Sequence, residues 1–99
     1  MAAAKIVISN GGFDGMEYVL RDEETLIGRN PTTDVTLLDE NISREHALIL
    51  FDPESDAYTI EDLQSTNGTK VNGKGIRSHE LQPGDEIQIG HTKFAFVRD

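Results

Sequence analysis

The chain has no cysteine, no long apolar run and few basic residues. Without cysteine there is neither a disulfide framework nor a thiolate metal site, so there is no redox signature and a reducing cytoplasm is the expected setting. No apolar stretch approaches the roughly 18 residues of a membrane-spanning helix. The opening Met1-Ala2-Ala3-Ala4 lacks the apolar core of a signal peptide. Nine lysines and arginines stand against eighteen aspartates and glutamates, a net charge of −9. A field of that sign repels nucleic acid and anionic lipid, so neither is an expected partner. Helical periodicity is missing as well. No window of about eleven residues or more places apolar positions at i, i+3, i+4 and i+7 between two caps.

What is present is a series of short β-prone runs separated by turn residues. They fall at residues 5–9, 16–20, 25–28, 35–37, 46–51, 58–61, 70–72, 86–90 and 93–98. Tyr58 and Ile60 alternate with Thr59 and Glu61, and Ile87, Ile89, Phe94 and Phe96 recur at every second position. Asp52-Pro53-Glu54-Ser55-Asp56 reads as a hairpin loop. Asn67-Gly68 and Asn72-Gly73 are strong short hairpin signals, and Pro83-Gly84 suits a type II turn with φ > 0 at the glycine. The expected fold is all-β, an antiparallel sandwich of about 10–11 short strands. A chain of 99 residues is expected to form one domain, with its core at about 5–97 and a flexible tail at 1–4.

Three signals sit where this pattern breaks, on loops or strand ends, where function concentrates. Gly28-Arg29 ends a strand and delivers a guanidinium fork, which matches phosphate oxygens in a bidentate way that lysine cannot. Taken alone, the pair describes a solvated arginine at a strand end. Ser43-Arg44-Glu45-His46 adds a hydroxyl, a second guanidinium and a histidine opening the most apolar strand. Ser65-Thr66-Asn67-Gly68-Thr69 adds hydroxyls around a carboxamide that could bond the main chain of an extended peptide. A nucleotide-binding loop would need a lysine and a following helix, and neither is present. A hydrolase built on Ser43, His46 and Asp39 is disfavoured because residues three apart at a loop-to-strand junction need not face each other, and no nucleophile elbow surrounds Ser43. His79 and His91 have no metal-site spacing and read as surface or structural. Neither metal nor cofactor is expected.

Gly-Arg, then Ser-x-x-His, then Asn-Gly, in that order, resembles the signature of forkhead-associated domains. The likeness extends to Ile27-Gly28-Arg29-Asn30-Pro31, Asp62-Leu63, Val71-Asn72-Gly73 and Pro83-Gly84-Asp85, and runs from about Lys5 to Val97. It implies a two-sheet sandwich with a phosphothreonine site built from loops at one end, a mode of phospho-motif capture known for this family. By position, Arg29, Ser43 and Thr66 resemble the family's phosphate contacts, and Arg44 stands where a polar or basic contact is common. Asn67 looks like the residue that holds the ligand's main chain. Gly28, His46 and Gly68 look architectural. In several members a residue two before the serine helps select the third ligand residue after the phosphothreonine. Here it is Asn41, neutral where some relatives carry arginine.

The function so implied is phosphopeptide recognition in signalling, with no enzymatic activity and a phosphothreonine-containing protein as partner. Two other readings share the fold. One is a phosphate-independent adaptor that docks a partner through a sheet face, using Phe13, Phe51 or other exposed apolar residues. The other is a regulatory domain within a longer protein.

Overall fold

In the strands, every second side chain turns inward, and two such faces make the core. A computed structural model describes residues 4–21 and 23–98. Among them are eleven strands: β1 (Ala4–Ile8), β2 (Glu17–Val19), β3 (Glu24–Gly28), β4 (Val35–Thr36), β5 (Ala47–Asp52), β6 (Ala57–Asp62), β7 (Thr69–Val71), β8 (Lys74–Ile76), β9 (Ser78–Glu80), β10 (Glu86–Ile89) and β11 (Thr92–Arg98). One sheet runs β2-β1-β11-β10-β7-β8 and the other β4-β3-β5-β6-β9. Ile6, Ile8, Ile87, Ile89, Phe94 and Phe96 of the first sheet meet Ile27, Ala47, Ile49, Tyr58 and Ile60 of the second, all buried. Each such aliphatic or phenyl side chain contributes about 1.5–3 kcal/mol when fully withdrawn from water.

All-β architecture with two packed sheets is therefore what the alternation predicts, and it is what the chain forms. The β3–β4 pair departs from the antiparallel pattern: Ile27 lies beside Val35 and Gly28 beside Thr36 in parallel. So short a return is possible because Asp34 doubles the chain back onto β3, with its N–H on the Leu26 carbonyl and its carboxylate on the Leu26 N–H. Ala4, expected in a flexible tail, is instead the first residue of β1, buried and paired with Arg98. The rest of that expected tail, residues 1–3, lies outside the described residues. β8 and β9, not expected from sequence, are edge strands formed by pairing with β7 and β6.

The turns divide by chemistry. Asn72 and Gly73 both have positive φ, 52° and 83°, and close the β7–β8 hairpin. Gly84 has φ 92°, and the Asp85 N–H reaches the Gln82 carbonyl, as a type II turn requires. Residues 52–56 close β5 onto β6, with Asp52 paired to Ala57. Asn67-Gly68 forms no hairpin. It lies in the loop that carries the chain from β6 in one sheet to β7 in the other. Phe51, expected as a possible exposed contact, is partly buried, its ring 4.7 Å from Tyr58.

Strand register fixes which loops meet. Ile27, Ala47 and Asp62 are neighbours across β3, β5 and β6. The loops leaving those strand ends, residues 29–34, 37–46 and 63–68, therefore gather at one end of the sandwich. The end of β10, the start of β11 and the end of β1 come to the same end in the other sheet, through Ile89 opposite Thr92 and Ile8 opposite Phe94.

Candidate functional site

Gly28 is glycine because another backbone occupies the space a side chain would need. A Cβ there would stand 2.1 Å from the Arg44 carbonyl oxygen. That approach lets the β3–β4 and β4–β5 loops run edge to edge, with the Arg29 N–H on the Ser43 carbonyl at 3.0 Å and the Asn30 N–H on the Arg44 carbonyl at 3.1 Å. Arg29 also donates from Nε to the Ile42 carbonyl at 3.0 Å. The guanidinium is thus anchored at its inner nitrogen, and its two outer nitrogens have no partner among the described residues. Beneath the loop, buried Thr33 ties Oγ1 to the Asn30 carbonyl at 2.7 Å and sits 3.0 Å from the Thr36 hydroxyl.

His46 holds the second loop against the third. It is wholly buried, and both ring nitrogens are used. Nδ1 accepts the Ser43 N–H at 3.0 Å, which fixes the Nε2–H tautomer, and Nε2 then donates to the Gly68 carbonyl at 2.8 Å. The Ser43 hydroxyl oxygen accepts the Thr66 N–H at 3.1 Å, so its own proton is left to point elsewhere. No Ser-His-Asp triad is assembled: His46 has no nitrogen for the Ser43 hydroxyl, and Asp39 bonds to Asn41 and His91 instead. Arg44 has its main chain locked against Gly28 while its guanidinium makes no hydrogen bond or ion pair among the described residues.

Asp62 organises the third loop, a role that sequence inspection missed. Its carboxylate accepts the Ser65 hydroxyl at 2.5 Å, the Thr69 hydroxyl at 2.8 Å and the Ser65 N–H at 3.1 Å. Burial by itself would push this carboxyl up, but those three bonds outweigh it and hold the group below the usual carboxylate range. Ser65 passes the order on by accepting the Gly68 N–H at 3.0 Å. Gly68 takes φ 83°, a left-handed conformation that suits glycine. The only sequence cue is Asp-x-x-Ser ahead of a turn, a spacing at which a carboxylate reaches forward to its own loop's backbone.

Two depressions are lined by residues of these loops. Arg29, Asn30, Pro31 and Arg44 line a shallow cleft of about 200 Å³. Asn41, Asn67, Gly68, Lys70, Gln88, Gly90 and His91 line a second, polar one of about 260 Å³. In the second, Asn67 Nδ2 donates to the Asn41 carbonyl at 2.9 Å, leaving its Oδ1 unpartnered among the described residues. Asn41 folds its own amide back onto Asp39 Oδ1 at 3.2 Å. The Asn41 N–H, against a smaller opposing effect of burial and with help from His91, keeps the Asp39 carboxyl below its ordinary range. Two guanidinium ends, two hydroxyls and a carboxamide oxygen are therefore left open at one end of the molecule, a set suited to an anion attached to an extended peptide.

The model of the FHA domain matches residues 25–90 of this chain, a span containing all three loops. Over 95 residues the chain is 39% identical to the oxoglutarate dehydrogenase inhibitor of Corynebacterium jeikeium, covering 96% of this chain and 65% of that protein. It is 36% identical over 95 residues to the glycogen accumulation regulator GarA of Mycobacterium tuberculosis, covering 96% of this chain and 57% of that protein. The chain thus spans 57% to 65% of the length of these two curated relatives. A solved structure from a study of phosphothreonine-dependent FHA domain interactions is similar with a TM-score of 0.86 at 32% identity, over 96% of this chain and 95% of that one.

Proposed function

The chain belongs to the forkhead-associated family, and from that membership we propose that it is a binding module for phosphothreonine in a partner protein. Arg29, Ser43, Arg44 and Thr66 hold the phosphate, and Asn67 Oδ1 takes a main-chain N–H of the ligand. The observation that carries this reading is the cross-tying of three loops, which brings the Arg29 backbone and Thr66 onto Ser43 while leaving the donors of Arg29, Ser43 and Arg44 open. His46, Gly28 and Gly68 support that arrangement without touching ligand. The module acts by contact and is not a catalyst: relatives are named as an inhibitor and a regulator, and His46 is unavailable as a base.

Phosphothreonine carries close to two negative charges near neutral pH and three acceptor oxygens. Hydrogen bonds to charged groups are worth roughly 1.5–3 kcal/mol each, so four donors supply about 6–12 kcal/mol gross. Ordering a flexible peptide removes several kcal/mol of that. At the upper end of that range the remainder reaches micromolar binding, about −8 kcal/mol. The net charge of −9 slows approach of an anion, but screening beyond about 8 Å leaves two arginines dominant at short range.

The test is titration with a degenerate phosphothreonine peptide library, alongside phosphoserine and unphosphorylated versions. Only the phosphorylated peptides bind, phosphothreonine best, and Arg29→Ala lowers affinity at least about 100-fold while the protein stays folded. Equal binding by that variant places the ligand elsewhere.

A further inference from the structure

At the ligand end lies a third opening, unlike the first two in chemistry. It is a groove of about 390 Å³ whose floor includes buried Ile8 and Leu37 and whose lining includes Phe13, Met16 and Leu38. These last three are 69%, 45% and 88% exposed. Single exposed apolar residues are ordinary on a protein surface, but three around one concavity mark a contact site. They come from two separate loops, the β1–β2 and β4–β5 connections. The first is fastened beside the β10–β11 turn by Asn10, whose side chain bonds the His91 carbonyl at 2.9 Å and the Lys93 N–H at 2.9 Å.

The groove adjoins the polar depression beside the proposed phosphate site. His91 lines both it and the polar depression that contains Asn67, and Asp39 links His91 to the loop that bears Ser43. From Ser43 back to Asp39 is four residues of chain, at most about 14 Å. An extended ligand advances about 3.3 Å per residue. A peptide anchored by its phosphate therefore reaches the near rim within about four residues and the far side within about seven. A second copy of this chain is a poor occupant, because each copy carries a charge of −9 and the two repel.

Resting on the phosphothreonine reading, we propose that this groove receives one apolar side chain of the same ligand segment, about four to seven residues from the phosphothreonine. Phe13 and Leu38 grip that side chain. Asp39 lines the groove, so the flanking ligand residues are not acidic. The phosphate supplies the phosphorylation dependence. The groove supplies part of the selectivity among phosphorylated partners, using residues that no phosphate contact requires.

The experiment uses fluorescently labelled phosphothreonine peptides in a neutral alanine-rich background, with one leucine moved along each flank and affinity read by anisotropy. One position within the four-to-seven window tightens binding roughly three- to tenfold, as expected for a leucine partly buried in an open groove. The gain disappears in the Phe13→Ser, Leu38→Ser double variant, whose affinity for the leucine-free phosphopeptide and whose melting curve match the parent's. The proposal is overturned if no position tightens binding, or if the gain survives in the double variant. It is equally overturned if sedimentation shows the parent to be a dimer that the double variant dissociates, since the groove would then be an interface between copies. Failure of the leucine-free phosphopeptide to bind is a different result: it removes the phosphothreonine reading and this one with it.

Discussion

At one end of the sandwich, polar side chains are satisfied by one another and by the main chain. Asp85 accepts the Gln82 N–H, the Asn72 amide and His79; Arg98 reaches the Asp56 carbonyl at 2.6 Å; Asp52 takes the Glu54 N–H at 3.0 Å. At the other end, His46 and Asp62 play a similar organising part, but the groups they hold in place are left partly unused. Arg44, the outer nitrogens of Arg29 and the Ser43 proton have no partner among the described residues. Closed hydrogen-bonding capacity marks the end that only finishes the fold. Open capacity, held rigidly, marks the end that can bind.

Gly28→Ala tests this contrast most severely, because the added methyl meets a main-chain oxygen that cannot move without pulling two loops apart. Loss of more than about 4 kcal/mol of unfolding free energy is expected by urea denaturation. A variant within 1 kcal/mol of the parent, by the same rough scale, would mean that the loops are not in backbone contact. His46→Ala comes next. It strips partners from the Ser43 N–H and the Gly68 carbonyl and opens a cavity, a cost of about 3 kcal/mol, and weaker phosphopeptide binding accompanies it.

Asp62→Asn is smaller and depends on pH. The parent carboxyl titrates lower in the folded chain than in the unfolded one. Its stabilisation is therefore complete above the unfolded value near 3.9 and fades as pH falls through the lower folded one. The variant should cost about 1–2 kcal/mol at neutral pH. The gap to the parent should narrow on acidification below about pH 4. A constant gap down to strong acid would break the assignment. Glu54→Ala, in the far hairpin, completes the comparison with a shift within about 0.5 kcal/mol and unchanged peptide affinity.

The main strands were legible because burial on one face writes itself as alternation: Tyr58 and Ile60, Ile87 and Ile89, Phe94 and Phe96 all turn inward. β9 was not, since Ser78-His79-Glu80 contains no apolar residue and becomes a strand by lying against Thr59, Ile60 and Glu61. Lys74-Gly75-Ile76 is similar, fixed by the Asn72-Gly73 turn before it. Asn67-Gly68 shows the limit of local turn chemistry. The dipeptide's preference for positive φ is used only at Gly68, and the flanking strands go to different sheets. At the candidate site, the loop residues could be picked out by type and order. The locks beneath them could not. Asp62 reaches Thr69 seven positions away, and Asp39 meets His91 fifty-two positions away; neither distance has a periodic signature.

The outermost strands of both sheets are very short: three residues in β2, β8 and β9, and two in β4. A bare strand edge is a template on which a stranger's main chain can zip. Here each template ends almost as soon as it starts, so extended segments find no long rail to join. What remains available to an extended ligand is the loop end, where recognition depends on side chains and is therefore selective.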